Sequence, residues 1–198
     1  MSKHEAPVSK AQIRALEALH TDFARKLSVH YTDFMGAVVD ADIAFVDQTT
    51  YAEFMESLSN PSCSYTFTIE PLGGPAVLDY SLPIAFAFTN RSSGGEASAS
   101  KQMEAHVLTP EERPVMAKIL TQNLADLEAI WEPTLKIQVR DAELETDPES
   151  IRMCGDAVQP GDWVILIAFE INMQFASGLV SLCYPYKTLE SAIPNLDA

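Results

Sequence analysis

The chain lacks a hydrophobic run long enough to cross a membrane. Trp163 to Ala168 is cut off by Glu170 and Asn172, well short of the roughly 18 apolar residues a spanning helix needs. The first residues, Met1-Ser2-Lys3-His4-Glu5-Ala6-Pro7, are polar and do not form a signal peptide, so a cytoplasmic chain without direct membrane insertion is expected. Basic residues are scarce. With 13 Lys and Arg against 28 Asp and Glu the formal charge is −15, which repels phosphate backbones and anionic lipid, so no nucleic-acid partner is expected. Cysteines number three, Cys63, Cys154 and Cys183, and none shares metal-ligand spacing with the dispersed His4, His20, His30 and His106. Reduced thiols and no metal site follow. Gly94-Gly95 has no Lys-Ser/Thr behind it, and no dinucleotide fingerprint opens a strand-turn-helix, so no cofactor and no catalytic residue are assigned. The clusters Glu111-Glu112 and Glu143 to Glu149 read as helix-dipole partners and solvated loops.

What is present suits one soluble domain or two small ones: 198 residues, 47% of them hydrophobic. Residues 1–8 show no periodicity and read as a loose leader. Ser9-Lys10-Ala11-Gln12 has capping-box spacing, and Ile13, Leu16, His20, Phe23, Leu27, Tyr31 and Phe34 form one apolar face of a helix ending near Gly36. His20 on that face reads as a satisfied core histidine. A strand over 41–47, a short helix capped by Thr50, and a hairpin over 62–70 and 76–80 follow, then an apolar helix from Ser81 with Leu82, Phe86 and Phe88 inward.

The second half repeats this order. Thr109 is expected to cap a helix with Pro110 at its first position, Glu112 closing the box, and Val115, Ile119, Leu120, Leu124, Leu127 and Trp131 as its stripe; Pro114 should disturb the first turn. Then come a strand over 135–140, a helical turn near 147–153, a hairpin over 163–185 and a closing helix over 186–193, with a tail at 194–198. Ala76-Val77-Leu78-Asp79-Tyr80-Ser81-Leu82-Pro83 resembles Gly178-Leu179-Val180-Ser181-Leu182-Cys183-Tyr184-Pro185. The fold expected is α+β: a pseudo-two-fold α/β/α sandwich of antiparallel strands with two long helices. Its halves, about 9–90 and 109–193, are joined by a Gly/Ser-rich loop at 90–108, which in composition alone is a flexible surface connection.

Several ordered motifs carry a resemblance. Tyr51-Ala52-Glu53-Phe54-Met55-Glu56-Ser57-Leu58-Ser59-Asn60-Pro61-Ser62, Ile69-Glu70-Pro71-Leu72-Gly73-Gly74, Leu108-Thr109-Pro110-Glu111-Glu112, Trp131-Glu132-Pro133 and Leu182-Cys183-Tyr184-Pro185-Tyr186-Lys187-Thr188-Leu189-Glu190 resemble, in order, segments of the middle domain of the flagellar motor switch protein FliM family. The likeness covers about residues 9–193. It implies a CheC-like fold and a non-enzymatic building block of the switch ring at the flagellar basal body, on the inner face of the cell membrane. Implied partners are FliG, neighbouring copies of the same domain, and phosphorylated CheY, which reverses rotation. The two long helices are expected on opposite sides, with their exposed faces as candidates for ring contacts.

In that family a Gly-Gly-x-Gly loop binds FliG. Here the matching residues are Asn90, Arg91, Gly94, Gly95, Glu96 and Ala97, with alanine where the third motif glycine would stand. Residues 1–8 do not carry the family's CheY-tethering segment, so contact with CheY is expected to be weak or indirect. The resemblance covers the middle domain alone, so FliN is expected as a partner only through the family's C-terminal domain. The related CheC/CheX-type CheY-phosphate phosphatases, the alternative reading, carry an acid followed by asparagine three residues on. The equivalent positions here are Glu17 with His20, and Leu120 with Asn123, so neither half holds the pair.

Overall fold

Two capping boxes set the first half of the architecture. In the computed structural model, which describes residues 6–95, 104–151 and 158–197, Ser9 Oγ accepts the Gln12 N–H at 3.2 Å and Gln12 Oε1 accepts the Ser9 N–H at 3.0 Å. Helix α1 therefore runs Lys10–Met35 and stops at Gly36, whose φ of 66° glycine adopts without steric cost. Thr50 and Glu53 form the second box and open α2, Tyr51–Ser57. The remaining elements are β1 (Asp40–Thr50), β2 (Ser64–Glu70), β3 (Gly74–Tyr80), α3 (Leu82–Ser92), α4 (Arg113–Trp131), β4 (Gln138–Glu145), β5 (Trp163–Asn172), β6 (Ser177–Pro185) and α5 (Tyr186–Leu189). Short 3-10 turns at Pro148–Ser150 and Ile193–Asp197 complete them, so the expected closing helix is split in two. Of the expected leader, residues 1–5 lie outside the described residues. Val8 is buried, and its backbone exchanges two hydrogen bonds with the Gln48 side chain of β1.

The six strands form one antiparallel sheet in the order β1-β5-β6-β3-β2-β4. Exchanging the halves reverses this order and leaves it unchanged. Each half places its hairpin at the centre and sends its first strand across to the other half: β1 pairs with β5 and β4 pairs with β2. Neither half completes its own side of the sheet, so the pseudo-two-fold repeat folds as one α+β unit.

One face of the sheet carries the main core, covered by α1, α3 and α4. The long helices do not lie on opposite sides: α1 and α4 pack antiparallel against each other, with Tyr31 Oη donating to Asn123 Oδ1 at 2.7 Å and His30 Nδ1 2.7 Å from Asp126 Oδ2. Their buried stripes enter one core, so the second long helix has no reason to cross the sheet. The opposite face has a thin layer, in which Tyr51 and Phe54 of α2, with Ile151 and Val158, cover Val77, Val164 and Cys183.

Two boundaries move for local reasons. The Thr109–Glu112 box forms, with Glu112 Oε2 accepting the Thr109 N–H at 2.9 Å, but it closes a turn and regular helix starts only at Arg113. Pro114 has no N–H to bond back to Pro110, so the turn ahead of it cannot join the helical ladder. Strand β4 begins three residues later than expected and runs on to Glu145, past a bulge at Asp141, whose φ is 55°.

Candidate functional site

Helix α3 is buried along Leu82, Ile84, Ala85, Phe86, Phe88 and Thr89, then turns polar at Asn90 and leaves the core. Asn90, Arg91 and Ser92, expected in the loop, form its last turn. The end is a Schellman motif: the Gly95 N–H reaches the Asn90 carbonyl at 3.1 Å and the Gly94 N–H the Arg91 carbonyl at 3.2 Å. Gly94 supplies the left-handed residue, φ 74°, with open space around a would-be Cβ. Gly95 is needed for a different reason: a Cβ there would collide with the Asn90 side-chain oxygen and sit 3.0 Å from its carbonyl. The glycines that composition alone makes a flexible connection thus terminate a helix.

Arg91 ties this end to another. Its guanidinium lies over Gly36, where an added Cβ would come within 2.9 Å of Nη2, so the C-termini of α1 and α3 meet. A cation there also suits two converging negative helix ends. Two residues past Gly36, Val38 is 72% exposed. Asp40 pairs with Asn172, which brings the β5–β6 turn and its exposed Phe175 to the same end of the sheet. One end of the domain therefore presents Arg91, Ser92, Ser93 and Gly94 to solvent, with exposed valine and phenylalanine at the strand ends. Such a mixed surface can seat an apolar partner residue and hold its polar rim. Of the six expected loop residues, the structure brings Asn90, Arg91, Gly94 and Gly95 together; Glu96 and Ala97 lie outside the described residues. Val38 and Phe175 had no signal in the sequence except being apolar beside turns.

The positions compared with the phosphatase pattern have another use. His20 is fully buried: its Nδ1 donates to the Leu16 carbonyl at 2.8 Å and its Nε2 accepts the Tyr184 hydroxyl at 2.9 Å, while Trp131 Nε1 donates to the same hydroxyl oxygen at 3.1 Å. Burial lowers the His20 pKa to about 4, so the ring is neutral. Asn123 is buried too, its Oδ1 accepting from Tyr31 and Tyr80, both at 2.7 Å. The pattern is swapped between halves. Tyr80 ends β3 and bonds α4 of the second half; Tyr184 lies at the end of β6 and bonds α1 of the first. Neither His20 nor Asn123 can reach a phosphate in solvent. Cys63 and Cys183 are buried free thiols, with pKa values raised by burial. Among the described residues no cluster of His, Cys, Asp and Glu could hold a metal ion, and no helix is long and apolar enough to cross a membrane.

A family model described as "Flagellar motor switch protein FliM" matches residues 9–198. A relative of the same description from Treponema pallidum is 32% identical over 96% of this chain and 54% of its own length. The chain spans about half the length of the curated relatives it matches. Among solved structures, the FliG–FliM complex from H. pylori contains a chain that aligns with a TM-score of 0.85 and 28% identity, covering 94% of this chain and 100% of that one. Thermotoga maritima FliY shares the fold at a TM-score of 0.79 and 11% identity, covering 96% and 98%.

Proposed function

Because the chain belongs to the flagellar motor switch protein FliM family, we propose that it is the ring-building middle domain of the motor switch and holds FliG through the end where α1 and α3 terminate. The observation that carries this is the Gly94–Gly95 helix end, exposed and tied to Gly36 by Arg91, with Val38 open to solvent beyond it. The likeness to the H. pylori chain seen in complex with FliG supports the choice of partner.

Neighbouring copies would pack side by side through the outer faces of the helical layer, where Val29 of α1 is 57% exposed. Phosphorylated CheY would act by altering how copies and FliG are arranged, so the domain relays a signal and sets the direction of rotation without making or breaking a covalent bond. FliN would join only through a further domain. The working location is the flagellar basal body, at the inner face of the cell membrane.

A pulldown tests the FliG assignment. Gly94→Val and Val38→Asp variants that keep the wild-type far-UV circular dichroism should retain much less FliG than the wild type. Undiminished capture by both variants removes this end of the domain from the interface.

A further inference from the structure

Residues 104–112 lead into α4, and His106 is held there from three sides. Its ring lies flat on Phe86 of α3, centroids 4.4 Å apart and planes 9° from parallel. Its Nε2 is 3.0 and 3.2 Å from the two carboxylate oxygens of Glu112. Its Nδ1 is 3.1 Å from the Glu104 carbonyl oxygen. A carbonyl and a carboxylate only accept, so each contact requires a proton on the facing ring nitrogen, and only the imidazolium carries both. His20 differs: its second nitrogen meets a hydroxyl, which can donate, so the neutral ring is satisfied.

Glu112 has a second task. Its Oε2 also accepts the Thr109 N–H at 2.9 Å, and the Glu112 N–H is capped by Thr109 Oγ1 at 3.3 Å. The carboxylate that closes the turn ahead of α4 is thus the one that pairs with His106. The segment that enters α4 is thus fastened back onto α3, the helix that ends at Gly94.

We propose that His106 and Glu112 form a proton-dependent clasp: as an imidazolium, His106 pins residues 104–108 onto α3 and the head of α4, and the closed clasp favours FliG binding at the α3 end. The second half rests on reading that end as the FliG-binding surface. Among the described residues the charged groups around the ring are few. Helix α3 contributes the uncharged Phe86. The turn and the head of α4 contribute Glu111, Glu112 and Arg113, whose Nε donates to the Leu108 carbonyl at 3.2 Å. Glu104 takes part through its carbonyl, and Cys63, near enough to feel the Glu112 charge, keeps its thiol proton. The Glu104 carbonyl first, and Glu112 second, raise the His106 pKa above 6.5. The unfolded ring titrates at about 6.5, so the clasp contributes fully below that pH and is lost as pH rises through the higher folded value.

The test is an NMR titration of the His106 ring in the whole chain, from about pH 5.5 to about pH 9. The wild-type midpoint should lie above 6.5. Glu112→Gln, which keeps a side chain able to cap Thr109, should bring it back toward 6.5. A wild-type midpoint at or below 6.5, or one that Glu112→Gln leaves unmoved, overturns the clasp. FliG affinity is then measured at both ends of the range. The wild type should weaken several-fold more with rising pH than His106→Gln, and identical profiles overturn the link to binding. If FliG binds at neither pH, the FliG reading and the link fall together, while the titration in the free chain still decides the clasp.

Discussion

Acid should destabilise this domain through one buried histidine. His20 donates from Nδ1 to the Leu16 carbonyl and accepts the Tyr184 hydroxyl at Nε2. A proton on Nε2 would turn that acceptor into a donor and leave the buried Tyr184 O–H without the acceptor it now uses, while Trp131 still donates to the same oxygen. Burial lowers the folded pKa from 6.5 to about 4. Below pH 6.5 the unfolded chain binds a proton the folded chain refuses, so stability is unaffected above that pH and falls as the pH drops toward 4. At about 1.36 kcal/mol per pH unit, the loss reaches about 2.5 kcal/mol by about pH 4.5. That is a sizeable part of the roughly 5–15 kcal/mol typical of a domain. The assay is urea denaturation in steps from about pH 7.5 to about pH 4.5 on wild type and His20→Gln. The variant starts about 1–3 kcal/mol less stable, since Tyr184 loses its acceptor. The gap between the two should then close by about 2–3 kcal/mol across the window. Parallel curves would refute the account of a neutral, satisfied His20.

Asp79 predicts the opposite sign. Burial pushes its carboxyl from 3.8 up to about 6, although Ser64 Oγ donates to it at 2.6 Å. Its neutral form adds stability below about pH 3.8 that is lost as the pH rises to about 6, so Asp79→Asn should gain relative to wild type by on the order of 1–3 kcal/mol between about pH 4 and about pH 7 in the same assay. An unchanged difference across that range would contradict it. At Gly94 the space is open but φ is 74°, so alanine costs about 1 kcal/mol of backbone strain and lowers Tm by about 2–4 °C in a domain of this size. Asparagine there should cost less, and equal melting points for the glycine and alanine chains would dismiss the left-handed helix end. Gly95→Ala should destabilise by a collision with Asn90, and Asn90→Ala in the same chain should recover part of the loss.

Elements fixed by local chemistry were legible in the sequence. The Ser9–Gln12 box, the Thr50 cap and Gly36 placed the limits of α1 and the start of α2 within a residue. The repeated order of elements gave the α+β fold class. Non-local features were not legible. Alternation shows that β1 is a strand, not that it pairs with the hairpin of the other half. An apolar stripe shows that a helix is buried, not on which face of the sheet, so α1 and α4 were expected on opposite sides. Asn123 and Asp126 interrupt the α4 stripe as polar residues, yet both are buried because Tyr31, Tyr80 and His30 come to meet them. At the candidate site, Gly94 and Gly95 were legible as special positions. Their termination of α3 depends on hydrogen bonds to Asn90 and Arg91, and their tie to α1 on an arginine reaching across to Gly36. His106 gave no signal, since its partners are a backbone carbonyl, a ring on α3 and a carboxylate already assigned to a cap.

The most direct measurement of the central claim is amide hydrogen exchange on the whole chain, with and without FliG. FliG should slow exchange at residues 90–95 and 36–39, where the ends of α3 and α1 meet, and leave α2 unchanged. Protection confined to α2 and the sheet face it covers, with none at the α3 end, would contradict the account.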